Sequence, residues 1–125
     1  MGATGTVLII DNSNFARQRM RAGLEAGGFK VVGEAENAAQ AQERFLKLKP
    51  DLVTLDLFLT EEHGFAVLKN LLKLDADARI VVVSAMTDKP IAAEALLLGA
   101  KAFVIKTEDS ADLNKALSAA LKKKS

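Results

Sequence analysis

Five short apolar runs punctuate the chain: Val7–Ile10, Lys30–Gly33, Asp51–Leu55, Arg79–Val83 and Ala102–Ile105. Runs of this length, rich in valine and isoleucine, read as β-strands. Most lack in-out alternation, which predicts burial on both faces, as in a parallel sheet. Helical spacing fills the gaps between them. Ala16, Met20 and Leu24 recur every four residues, and Gly27-Gly28 ends that stretch. Ala38, Ala41, Phe45 and Leu48 form a second stripe, stopped by Pro50. Phe65, Leu68, Leu71 and Leu72 form a third. Pro90 opens a fourth helix and Gly99 closes it. Leu113, Leu117, Ala120 and Leu121 mark the fifth. Strand and helix therefore alternate five times. That order requires crossover connections, so the expected fold class is α/β: a doubly wound five-stranded parallel sheet flanked by five helices. Sheets of this kind commonly run 2-1-3-4-5, and that order is expected here.

Length and composition narrow the setting. A chain of 125 residues suits one domain spanning 1–125. Half the residues are hydrophobic, enough for a proper core. Seventeen basic residues against sixteen acidic ones leave a net charge of +1, which calls for neither nucleic acid nor an anionic membrane as partner. The one basic run, Lys122–Lys124, reads as a solvated helix end that complements the helix dipole. Cysteine is absent, which removes disulfides and thiolate metal sites and fits a reducing interior. Met1–Thr6 is short and uncharged in its side chains, unlike a signal peptide. No apolar run approaches the roughly 20 residues that span a bilayer. A cytoplasmic location is the expectation.

In open α/β sheets, ligands bind beyond the carboxyl ends of the strands. The residues at those ends are Asp11 and Asn12 after the first strand, Asp56 at the third, Ser84 after the fourth and Lys106 after the fifth. A carboxylate that ends a buried apolar strand is costly unless it is paired or metal-bound. One such residue has an ordinary structural explanation; polar groups at four strand ends point to a site. A hard cation such as Mg2+ takes a few oxygen ligands and keeps several waters. Asp11, Asp56 and a main-chain carbonyl supply such oxygens. A carboxylate beside a metal and an ammonium is a nucleophile suited to a phosphoryl group. Lys106 then neutralises one phosphoryl oxygen and Ser84 hydrogen-bonds another.

The segments Val7–Phe15, Lys49–Asp56, Val81–Met86 and Leu98–Lys106 resemble response-regulator receiver domains, nearest to the chemotaxis type. The resemblance covers essentially the whole chain. It implies a flavodoxin-like fold and a free-standing response regulator of two-component signalling, rather than an enzyme. It implies phosphorylation of Asp56 by a sensor histidine kinase or phosphotransfer protein, in a Mg2+-dependent reaction. By the same resemblance Asp11 belongs to the acidic pair that binds Mg2+, and Asn12 occupies the second position of that pair. Phe58 supplies a main-chain carbonyl to the metal. Ser84 is the hydroxyl that moves to hold the phosphoryl group, Lys106 the family lysine, and Phe103 the aromatic switch. A core role for Phe103 on an apolar strand is the equal alternative. Signalling is expected through the face of the fourth helix, fifth strand and fifth helix, to a separate target protein. DNA binding by the same chain is not expected, since the sequence after the fifth helix offers no helix-turn-helix pattern.

Three departures from the family pattern matter. Asn12 stands where a second acid is usual, and a neutral amide oxygen attracts Mg2+ less, so weaker metal binding is expected. Thr60 and Thr107 each replace a proline, while Gly64 keeps its place. These losses define the alternative: a degenerate pseudo-receiver acting as a phosphorylation-independent interaction module. Phe58 and Met86, two residues after Asp56 and Ser84, are bulky and apolar. They predict slow self-dephosphorylation by keeping water from the acyl phosphate, with simple groove filling as the equal alternative.

Other features weigh less. His63, the single histidine, lies beside Glu61 and Glu62 and reads as a surface loop residue. The fourth helix is apolar nearly all round, from Ile91 to Leu98, although one helix on a sheet buries only a stripe. The surplus predicts a partner face or a homodimer face, with alanine serving helix propensity as the plain alternative. A flavin or nucleotide binder needs a glycine- or hydroxyl-rich loop after the first strand. Asp11-Asn12-Ser13-Asn14 has no glycine, and its acid repels phosphate, which disfavours that reading.

Overall fold

The computed structural model describes residues 5–58, 64–85, 89–107 and 110–122. Five strands, β1 (Thr6–Ile10), β2 (Lys30–Ala35), β3 (Leu52–Asp56), β4 (Ile80–Ser84) and β5 (Ala102–Ile105), alternate with five helices. These are α1 (Asn14–Ala26), α2 (Ala38–Leu48), α3 (Gly64–Leu74), α4 (Lys89–Leu98) and α5 (Ala111–Lys122). All neighbouring strands pair in parallel, in the order 2-1-3-4-5. The doubly wound α/β fold is the one expected.

Both sheet faces are covered, which is why the strands lack alternation. Leu8, Ile10, Val53, Leu55, Ile80 and Val82 pack with Phe45, Leu68 and Leu71 of α2 and α3. Val7, Ile9, Leu52, Val81 and Val83 pack with Met20 and Leu24 of α1 and with Leu113 and Leu117 of α5. Helix starts are fixed by side-chain caps at the same edge of the sheet. Ser13 Oγ accepts from the Ala16 amide at 3.1 Å, and Asn37 Oδ1 from the Gln40 amide at 2.8 Å. At the opposite edge the Thr6 amide and hydroxyl both donate to Asp51 Oδ2, pinning β1 to the entry of β3.

The helices end largely where the sequence places them. Gly28 (φ 96°) follows α1 and Gly99 (φ 120°) follows α4 in backbone regions open to glycine. Lys49 takes the left-handed turn after α2, just ahead of Pro50. Three of the strands, β2, β3 and β4, run a residue or two later than their apolar cores suggest. Asp56 and Ser84 are the last residues of β3 and β4, and β2 continues through Glu34 and Ala35. The pairing of β2 with β1 also carries a bulge: Val7 faces Val31, but Leu8 faces Gly33. Because strand side chains alternate sides, the inserted Val32 reverses the facing of everything after it. Ala35 joins the core on the α2–α3 side, and Glu34, opposite Ile9, is turned toward α1.

Candidate functional site

Parallel strands in register end together, so the carboxyl edge of the sheet collects whatever polar residues close them. Asp11 follows β1 and is fully buried; Asp56 closes β3 and is 7% exposed; Ser84 closes β4 and is fully buried. Lys106 follows β5, held by its amide donating to the Ser84 carbonyl at 2.7 Å. From there its ammonium reaches Asp11 Oδ2 at 2.6 Å and Asp56 Oδ2 at 3.4 Å. Three side chains from three strand ends thus meet at one point. Ser84 stands one residue past Val83, the register partner of Asp56, and so on the neighbouring strand of the same edge.

The remaining oxygens are oriented by main-chain donors. The Ser13 amide donates to Asp11 Oδ1 at 2.8 Å, and the Phe58 amide to Asp56 Oδ1 at 3.0 Å. Burial pushes Lys106 down, but the two carboxylates outweigh it, and its pKa stands above the ordinary lysine value. Asp11 Oδ2 is buried and meets the Lys106 ammonium at 2.6 Å. A carboxylate oxygen accepts more than one contact, so Asp11 Oδ2 has capacity left for a hard cation beside the ammonium. The carboxylates of Asp11 and Asp56, with the Asn12 amide and the Phe58 carbonyl in the adjoining loops, are the oxygens available for it. Among the described residues no cluster of three or more His, Cys, Asp or Glu forms.

Phe58 is 47% exposed, and Phe103 is half-buried against the α2–α3 side of the core. The structure thus gives Phe103 its core contact. Thr107 follows Lys106, and no cis peptide bond occurs among the described residues. Met86, Thr60, Glu61, Glu62, His63, Lys123 and Lys124 lie outside the described residues. A cavity of about 300 Å³ opens beside Lys106 on the α1–α5 side, walled by Phe15, Met20, Val83, Val104 and Leu113. Neither Asp11 nor Asp56 lines it, so it neighbours the carboxylate site without being part of it.

Sequence reasoning missed three charged residues close to this edge. Arg17 and Arg21 of α1 both pair with Glu34 of β2, at 2.9 and 2.8 Å. Burial pushes Glu34 up, but hydrogen bonds from Arg21 and Arg17 outweigh it and hold its pKa below the usual carboxylate value. The spacing of Arg17 and Arg21 by one helical turn was a signal for a shared partner; the bulge that brings Glu34 to them was not visible.

Comparisons with known proteins agree with this architecture. The family model of the response regulator receiver domain matches residues 7–118. The chemotaxis protein CheY of Thermotoga maritima is 39% identical over 100 residues, covering 80% of this chain and 83% of its own. Its counterpart in Bacillus subtilis is 42% identical over 100 residues, with the same two coverages of 80% and 83%. Among solved structures, CheY in a complex with CheX, BeF3 and Mg2+ from Borrelia burgdorferi superposes with a TM-score of 0.86 at 26% identity, covering 94% of this chain and 90% of that one. The response regulator domain of Thermotoga maritima CheB gives 0.85 at 29% identity, covering 98% and 100%. Among the described residues no helix is long and apolar enough to cross a membrane. The chain belongs to the receiver-domain family of two-component response regulators and is CheY-like in sequence and fold.

Proposed function

We propose that this chain is a phosphoacceptor switch working as a free-standing response regulator, with Asp56 as the residue modified. The observation that carries the reading is the meeting of Asp11 and Asp56 on one ammonium, Lys106, at 2.6 and 3.4 Å. In the transfer, a carboxylate oxygen of Asp56 attacks phosphorus and forms the new O–P bond. The P–N bond of a donor phosphohistidine breaks, its electron pair stays on the imidazole, and that ring takes up a proton. Lys106 offsets charge on the transferred group, and the Ser84 hydroxyl at the next strand end is placed to hydrogen-bond it. Asp11, Asp56, Asn12 and the Phe58 carbonyl would hold Mg2+, which would supply charge neutralisation at the phosphoryl oxygens. With the neutral Asn12 in the set, its affinity is expected to be low. The Borrelia neighbour, a complex with BeF3 and Mg2+, supports Mg2+ as the metal of this reading. The protein is phosphorylated and signals; it is not itself an enzyme acting on a separate substrate.

Output runs to a separate protein through the face of α4, β5 and α5, in the cytoplasm. Support comes from α4, where only Ala95 is buried and Leu97 is 87% exposed. A second copy of the chain is the other candidate occupant of that face. Incubation with acetyl phosphate and Mg2+, followed by intact-mass spectrometry, tests the phosphoacceptor. One added phosphoryl group is expected on the native protein and none on Asp56→Ala, and the adduct is expected to outlast seconds, the bulky apolar Phe58 and Met86 keeping water from the acyl phosphate. No adduct from acetyl phosphate or from a range of phosphohistidine donors sinks the reading. It favours instead the pseudo-receiver, a phosphorylation-independent interaction module, for which Asn12 in the acidic pair is the supporting observation.

A further inference from the structure

The loop that carries Asp11 and Asn12 is tied at its back by one side chain. Arg17, on the first turns of α1, extends under the loop with only 11% of its side chain exposed. Its Nη1 donates to the main-chain carbonyl of Asp11. Its Nη2 donates to Asn14 Oδ1 at 3.2 Å, and its Nε to Glu34 Oε1 at 2.9 Å. One rigid guanidinium thus spans the end of β1, the first residue of α1 and the end of β2. Glu34 is available only because the bulge at Val32 turns it to the α1 side. Arg21 shares Glu34, through Oε2 at 2.8 Å, but has no contact with the Asp11 carbonyl among its bonds, which run to Glu25 and Val31.

We infer that Arg17, anchored by Glu34, is a positioning residue that fixes the β1–α1 loop so that Asp11 and Asn12 present their oxygens to Mg2+. The inference rests on the Mg2+-dependent reading above. Its energetic logic gives opposite signs for two roles. As a bare charge, Arg17 stands behind the Asp11 main-chain carbonyl and repels a cation, so its removal would tighten Mg2+ binding. As a clamp, its removal frees the loop and weakens binding. Groups that orient metal ligands from behind typically carry about 10–100-fold in affinity.

Titration of the isotopically labelled protein with MgCl2, followed by amide resonances, decides between them. Arg17→Met and Glu34→Gln are each expected to raise the Mg2+ dissociation constant about tenfold. Arg17→Lys, which keeps the charge and loses the fork, is expected to behave like Arg17→Met. Arg21→Met removes a bond to Glu34 of similar length without touching the loop, and is expected to stay within about twofold. In metal-free protein, Arg17→Met is expected to shift or broaden the amides of Asp11, Asn12 and Ser13, and Arg21→Met to leave them in place. Unchanged or tighter Mg2+ binding in Arg17→Met, or equal effects of Arg17→Met and Arg21→Met, overturns the clamp. Should the native protein bind no Mg2+, the phosphorylation reading fails, and the metal-free loop resonances still decide whether Arg17 holds the loop.

Discussion

Lys106 holds the carboxyl edge together as a single charge between two acids. Its folded pKa is raised because Asp11 and Asp56 outweigh the cost of its burial. A group with a raised folded pKa contributes its full stabilisation below its unfolded value, about 10.4 for lysine. That contribution is lost as the pH climbs through the folded value, which lies above. The thermal unfolding midpoint of the metal-free protein is therefore expected to keep the Lys106 contribution through neutral pH and shed it on the alkaline side. Lys106→Met removes that part of the alkaline slope and costs roughly 1–2 kcal/mol near pH 7, less than a fully buried pair because the side chain is one quarter exposed. Superimposable alkaline limbs in the two proteins would show that the ion pairs contribute nothing. The reason Asp56 and Lys106 stood out in the sequence is the same one that makes them costly: polar groups closing buried apolar strands. Arg17 and Glu34 gave no such signal. An arginine on an amphipathic helix and a glutamate after a strand are ordinary surface residues until a bulge turns one toward the other.

Elements show the same division. The helices were legible through apolar stripes in α1, α2, α3 and α5 and through three stops: Gly27-Gly28 after α1, Pro50 after α2, Gly99 after α4. Strand limits were less so, because hydropathy marks the buried part of a strand while backbone pairing continues into polar residues such as Glu34, Asp56 and Ser84. What touches a helix was not legible at all. Gly23 lies in the last turn of α1, and a Cβ there would come within 2.0 Å of Ser110 Oγ, just ahead of α5. Asn114 of α5 donates to the Gly23 carbonyl at 3.1 Å, so the two helices approach nearly backbone to backbone. The surplus of apolar residues on α4 is the element-scale feature with a functional reading. Leu97→Glu is expected to leave folding stability within about 0.5 kcal/mol, since the side chain leaves no core behind. It is also expected to abolish whatever association the face supports, measured as solution mass and as binding to a phosphorylation-dependent partner. Unaltered mass and unaltered binding would remove α4 from the output face.

At the scale of the whole molecule, function follows from connectivity. Every helix returns the chain to the same end of the sheet, so all five strands deliver their last residues to one edge, while the entry edge carries the Thr6–Asp51 staple. The strand order, borrowed from the class and not read from hydropathy, places β1, which leads into Asp11, beside β3, which ends in Asp56. Both sheet faces are packed into cores that reach from β1 to β5, so the edge and the interior belong to one cooperative unit. A ligand that binds only the assembled edge must then stabilise the entire fold, by an amount set by its concentration relative to its dissociation constant. In urea unfolding followed by far-ultraviolet circular dichroism, Mg2+ at one hundred times its dissociation constant is expected to add about 2.7 kcal/mol. The slope against denaturant should stay unchanged, because the surface exposed on unfolding is the same. Asp11→Ala and Asp56→Ala each remove one of the two carboxylates and are expected to lose most of the increment. An equal Mg2+ effect in native and substituted proteins would assign the stabilisation to surface screening and leave the edge without a metal.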